Sequence, residues 1–186
     1  MKKNIISSFL LTLGCFVLLA VIYPLLIWAL AQFAPNEGKG EVVRHQGKAY
    51  YVNLAQKFES EGYFWSRPSA VDYNTAASGG SNKGATNPEY LAAVEARITA
   101  FTRANPQVKR ADIPVDLVTA SGSGLDPDFS VRAAVVQVAR IARHRKLTEQ
   151  AVLAVIHEQV ERPLLGLFGP EKVNVLRLNI ALDQLQ

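Results

Sequence analysis

The chain has 186 residues, with 20 Lys and Arg against 16 Asp and Glu, and a single cysteine. Lys2 and Lys3 supply half of the net charge of +4, so the remainder is close to balance and offers no basic surface for nucleic acid. Cys15 lies in an apolar run, which excludes disulfides and thiol chemistry from the polar part of the chain.

From Asn4 to Asn36 there is no Asp, Glu, Lys, Arg or His. A helix that crosses a bilayer needs roughly 20 apolar residues, and Phe9 to Leu30 meets that length. A secretory signal would use the basic start and Ala29-Leu30-Ala31 as a cleavage site, but its apolar core runs only ~7–15 residues. Leu13-Gly14-Cys15 has the outline of a lipoprotein site, but Thr12 is a poor start for one and the apolar run continues well past Cys15. The expectation is a retained anchor, with Cys15 a small apolar residue within it. Pro24 is tolerable there, Ser7, Ser8 and Gly14 allow close helix approach, and Tyr23 and Trp28 suit an interfacial belt. A short basic tail stays inside while a large domain translocates largely regardless of charge. The chain therefore divides into a cytoplasmic tail (1–6), a transmembrane helix (7–32), a connector (33–52) and an exported domain (53–186).

The connector is polar and glycine-rich, and Ala49-Tyr50-Tyr51-Val52 starts a strand. Asn53 to Phe58 predicts a short helix capped by Asn53. Gly62 to Pro88 lacks periodicity and is rich in Gly, Ser and Asn, yet it holds Tyr63, Phe64, Trp65 and Tyr73. Loops of this length are usually functional or disordered, and the aromatic residues predict an ordered, pinned one. Asn87-Pro88-Glu89 opens a helix in which Leu91, Val94, Ile98 and Phe101 share a buried face. Ile113 to Ala120 alternates and predicts a strand, and Ser121 to Pro127 a tight turn. Ser130 to Lys146 predicts one helix, with Val131, Ala134, Val135, Val138, Ile141 and Ala142 buried and Arg132, Arg140 and Arg143 on the solvated side. Thr148 caps another, with Val152, Val155, Ile156 and Val160 buried, until Arg162-Pro163. Val173 to Leu178 predicts a strand before a terminal helix. The fold class is α+β: one N-terminal transmembrane helix, then a single mixed α+β extramembrane domain.

Catalytic signatures come close and miss. Gly79-Gly80-Ser81-Asn82-Lys83-Gly84 has the glycines of a phosphate loop, but Ala85-Thr86 replaces its Lys-Ser/Thr. His157-Glu158-Gln159-Val160-Glu161 puts Glu where a zinc-protease helix needs its second His, so no metal site is indicated. Gly122-Ser123-Gly124 is half a nucleophile elbow without partners. No residue is assigned a catalytic role.

Whole segments carry more. Gly62 to Ala70 with Ala77 to Asn82, Pro114 to Asp126, Ala133 to Ala142 and Val173 to Asp183, in this order behind a single anchor, resemble the C subunit of the bacterial Kdp potassium-transporting ATPase. Trp65-Ser66 and Asp128-Phe129-Ser130-Val131 depart locally from that pattern. The resemblance implies an accessory subunit of an inner-membrane, ATP-driven potassium uptake complex. Its partners there are a channel-like K⁺-binding subunit, a P-type ATPase subunit and a small single-span subunit. It further implies a role in assembly and in promoting ATP use, with no cofactor held tightly and ATP reached through the ATPase subunit. The alternative it carries is a chaperone that contacts ATP directly; Ser78, Gly79, Gly80, Ser81 and Gln137 are where such a role would lie. Arg67, Pro68, Ser69, Asn82 and Asp126 complete the partner-binding candidates.

Overall fold

A computed structural model describes residues 2–185, the Pro35 side chain apart, and divides them between Tyr51 and Val52 into two units. The first unit begins with a helix of 30 residues, Lys2–Ala31, whose mean hydropathy of 2.7 suits a membrane span. It consists of α1 (Lys2–Val17), a π-helical turn (Leu18–Ile22) and α2 (Tyr23–Ala31). Pro24 has no N–H for the carbonyl four residues back, and the helix answers by widening just ahead of it, where Tyr23 N–H donates to Leu18 O.

The predicted connector contains an unforeseen hairpin. β1 (Val42–His45) pairs antiparallel with β2 (Lys48–Tyr51), His45 opposite Lys48. Gln46 and Gly47 between them both have positive φ, 48° and 77°, the backbone of the two-residue turn that matches strand twist.

The second unit is mixed α+β. Asn87 caps α3 (Pro88–Ala104) by accepting from Tyr90 N–H at 3.0 Å. Phe101 is buried on its inner face, Val94 and Ile98 are half-buried, and Leu91 is exposed. β3 (Asp128–Phe129), β4 (Val160–Glu161) and β5 (Lys172–Asn174) form an antiparallel sheet in the order β3-β5-β4. Around it pack α4 (Val131–Val135), α5 (Val138–Arg145), α6 (Glu149–Gln159) and α7 (Val175–Asp183). Ser130, Thr148 and Asn174 cap α4, α6 and α7, each accepting from the N–H three residues on. The core centres on Phe64, Phe101, Phe129, Ile141, Val152, Ile156, Val173, Leu178 and Leu182. Each of these buried Leu, Ile, Val and Phe side chains is worth about 1.5–3 kcal/mol of transfer free energy.

Several expectations fail; among them, the helix from Thr148 ends at Gln159, and Val160 is half-buried in β4. Asn53 to Phe58 is not helical; Ala55 N–H donates to Leu125 O at 2.9 Å, holding the segment against a neighbouring loop. Ile113 to Ala120 is not a strand; it follows a 3-10 turn at Arg110–Asp112 and passes through another at Val115–Leu117. Pro114 has no N–H for a ladder, and its carbonyl instead accepts from Leu117 N–H. The strand at Val173 stops at Asn174, whose side chain starts α7. The helix expected from Ser130 to Lys146 is split at Val136-Gln137 by a tightened turn in which Gln137 N–H donates to Ala134 O. Val135, expected inside, is 43% exposed, and Arg140, expected in solvent, is 2% exposed, while Val138, Ile141 and Ala142 keep the buried face expected of them.

Candidate functional site

The long aromatic loop is ordered by side chains reaching up from helices. Arg140, on α5, donates through Nη1 to Glu61 O, through Nη2 to Tyr63 O (3.0 Å) and Gln137 Oε1 (2.7 Å), and through Nε to Asn105 Oδ1 (3.1 Å). Its guanidinium lies 4.6 Å from the centroid of Trp65. Burial, opposed only in part by the nearby Glu61, pulls its pKa down to about 10, so it stays charged at neutral pH. Among the described residues its partners are carbonyl oxygens and a ring face, not a carboxylate.

Two neighbours extend the same device. Arg145 donates to Gly62 O and to Asp183 Oδ1, both at 2.6 Å, and stands 4.5 Å from the Tyr63 ring centroid. Asn179, on α7, accepts from Phe64 N–H at 2.9 Å and donates to Phe64 O at 3.0 Å. Gln137 Oε1 also accepts from Trp65 N–H at 2.8 Å, while Gln137 Nε2 donates to Ala133 O. Phe64 is thereby carried into the core at 0% exposure, edge-on to Phe129.

Beyond Trp65 the loop is laced to Ser121–Asp126. Arg67 Nη1 pairs with Asp126 Oδ2, and Asp126 Oδ1 accepts from Asp128 N–H. Pro68 O accepts from Ser121 N–H. Ser69 Oγ donates to Gly124 O at 2.7 Å and accepts from Val71 and Tyr73 N–H. Tyr73 OH donates to Arg67 O at 2.8 Å; burial first, then the Glu59 and Asp72 carboxylates, push its pKa up to about 12. Gly79 N–H and Ser78 Oγ both donate to Ser123 O. Gly124 has φ +68°, and a Cβ there would meet Val71 Cγ2 at 2.6 Å and Gly79 O at 2.8 Å. Two glycine-rich loops thus pack backbone to backbone, which only the missing side chain allows.

The structure therefore gathers Arg67, Pro68, Ser69, Ser78, Gly79, Gly80 and Asp126 at one loop junction. Ser81 and Asn82 lie exposed at its end, Asn82 with φ +51°. Gln137 stands apart, fully buried beneath Trp65, with its amide engaged at both ends. A cleft of about 390 Å³ adjoins the junction, lined by Lys57, Trp65, Ser69, Tyr73, Arg97 and Phe101 among others. Its cations are engaged: Arg97 donates to Val118 O and Lys57 to Asp72. Among the described residues no three His, Cys, Asp or Glu side chains cluster to hold a metal ion.

Sequence reasoning missed Arg140, Arg145 and Asn179. The signal for Asn179 was present, because it shares the buried face of α7 with Val175, Leu176 and Leu182.

A family model described as the c chain of the K⁺-transporting ATPase, KdpC, matches residues 5–184. A potassium-transporting ATPase KdpC subunit of Flavobacterium psychrophilum is 54% identical, over 99% of this chain and all of the relative. One from Bacteroides fragilis is 50% identical over 99% of the chain and 98% of the relative. One from Caldanaerobacter subterraneus is 41% identical over 98% and 95%. With a single apolar N-terminal helix ahead of a mixed domain, the chain belongs to the KdpC family, the membrane-anchored accessory c chain of the K⁺-transporting ATPase.

Proposed function

We propose that the chain is a non-catalytic subunit that helps assemble the pump in the inner membrane and promotes ATP use by the P-type ATPase subunit, acting from the periplasmic side. Its amino terminus is cytoplasmic. Its partners are the channel-like K⁺-binding subunit, the ATPase subunit and a small single-span subunit, and it binds the channel-like subunit without holding nucleotide. The observation that carries this reading is the use already made of the groups a nucleotide would need. Gly79 N–H is given to Ser123 O, and both ends of the Gln137 amide serve the Trp65 loop. A phosphate cradle needs free backbone N–H groups and a lysine. A subunit remote from ATP still alters ATP affinity if it prefers one conformation of the pump, and a coupling of ~1–3 kcal/mol is ordinary.

The test is nucleotide binding to the purified full-length chain, paired with labelling of Ser81→Cys in a Cys15→Ser background in intact and opened cells. The expected result is no saturable ATP binding and labelling from outside. Saturable ATP binding with labelling only from the cytoplasm would promote the direct ATP-contacting chaperone instead.

A further inference from the structure

Between β4 and β5 the chain runs Pro163-Leu164-Leu165-Gly166-Leu167-Phe168-Gly169-Pro170. Leu164 is 70% exposed, Leu165 80%, Leu167 80% and Phe168 65%. The turn is held by its own backbone. Leu164 and Phe168 form an isolated antiparallel bridge, Phe168 N–H donating to Leu164 O at 3.1 Å, and Leu167 N–H also donates to Leu164 O. At its apex Leu165 and Gly166 have φ +55° and +72°. That two-residue turn favours Asn-Gly, and a leucine in the first position is held in a conformation it disfavours. Water gives no reason to present four large apolar side chains on one hydrogen-bonded turn.

We propose that this apex is a plug that seats in an apolar socket on the channel-like subunit of the same pump. The inference deepens the partner-binding reading above and rests on the chain working within that assembly. Three observations select the occupant. First, no charged side chain stands between Arg162 and Glu171, so the complementary surface is uncharged. Second, the flanks provide no basic collar for lipid headgroups, which surface-bound membrane segments use. Glu161-Arg162 and Glu171-Lys172 cancel in charge, and Lys172 already pairs with Asp128 and with Glu161 (3.4 Å). Third, four such side chains offer a few hundred Å², against the ~800 Å² per partner of a stand-alone interface. Pairing with a second copy would therefore be too small to persist alone. A plug of this size suffices in a chain that a membrane helix already holds among its partners, where each added contact is intramolecular in effect.

The experiment uses the assembled complex in membranes. A photo-crosslinking benzoylphenylalanine is placed at Leu165 or Leu167, with exposed Lys109 as the control site. The plug predicts a light-dependent adduct with the channel-like subunit from the two apex positions and none from Lys109. Adducts only with the ATPase or single-span subunit overturn the proposed socket. Adducts only with lipid, only with a second copy, or with nothing while the complex remains intact, sink the plug and leave the periplasmic reading standing. As a second measure, Leu165→Gly and Leu165→Asp/Leu167→Asp should each lower recovery of the intact complex at least tenfold. The thermal midpoint of the separately purified full-length chain should not move. Unchanged recovery in both variants overturns the proposal.

Discussion

Two irregular segments of the second unit hold large apolar side chains and have opposite fates. From Ser60 to Trp65 the backbone has almost no regular partners of its own, yet Phe64 is fully buried. From Pro163 to Phe168 the backbone bonds to itself, and the side chains of Leu164, Leu165, Leu167 and Phe168 stand in solvent. Apolar composition does not separate them. What separates them is who serves the peptide groups. Arg140, Arg145, Asn179 and Gln137 reach the first segment from α5, α7 and the turn between α4 and α5. Irregular backbone enters a core only when something there replaces water at its N–H and C=O groups.

This contrast is most directly broken by removing the chief donor. Arg140→Ala leaves Asn105 Oδ1 without its donor in a buried setting and Glu61 O and Tyr63 O without theirs in a partly buried one, and it should cost ~3–4 kcal/mol. Urea unfolding of the full-length chain in detergent measures it. Arg140→Lys should recover less than half, since an ammonium cannot fork to the same acceptors. A loss below ~1 kcal/mol for the alanine variant would show that the loop is held by Phe64 alone.

Glycine substitutions sharpen the same comparison at a smaller scale. Gly124→Ala meets Val71 Cγ2 and Gly79 O well inside contact distance, in addition to its φ of +68°, and should cost ~2–4 kcal/mol. Gly166→Ala, at φ +72° with no atom within 4 Å, should cost only ~1 kcal/mol. Equal losses for the two would mean that the packed loop junction is free to relax.

The smallest effect is spectroscopic. Tyr73 OH is neutral and bonded to Arg67 O, and its pKa rises from 10 to about 12 on folding. Because the folded value lies above the unfolded one, the native state holds the proton longer. The associated stability is complete below pH 10 and is lost as pH climbs through 10 to 12. Tyrosinate absorbance should show one late-ionising phenol, missing from Tyr73→Phe. An unchanged titration in that variant would contradict the burial of its hydroxyl.

Most of the helices were legible, because caps and apolar spacing are local. Asn87-Pro88, Ser130 and Thr148 mark their starts in the sequence and cap them in space. The aromatic residues of the long loop likewise announced order. What could not be read was non-local. A wheel drawn from Ser130 places Arg140 in water, since nothing in the pattern says that carbonyls 77 to 80 residues earlier will arrive above it. At the loop junction the residue types were legible but their acceptors were not: Ser69 finds Gly124, and Gly79 finds Ser123. The hairpin at Gln46-Gly47 escaped because Gln is an uncommon first residue for its turn.

The widened turn at Leu18–Ile22 gives the anchor a break in its angular register. One extra residue inserted into a helix resets every later side chain by roughly 100° about the axis. A line of contact that begins along the Gly14 side of α1 does not continue as a straight stripe along α2. The two halves of one span thus address different azimuths. A residue-by-residue cysteine scan of the anchor would find two periodic traces offset at this turn, so a single uninterrupted wheel would assign the neighbours of Trp28 to the wrong side.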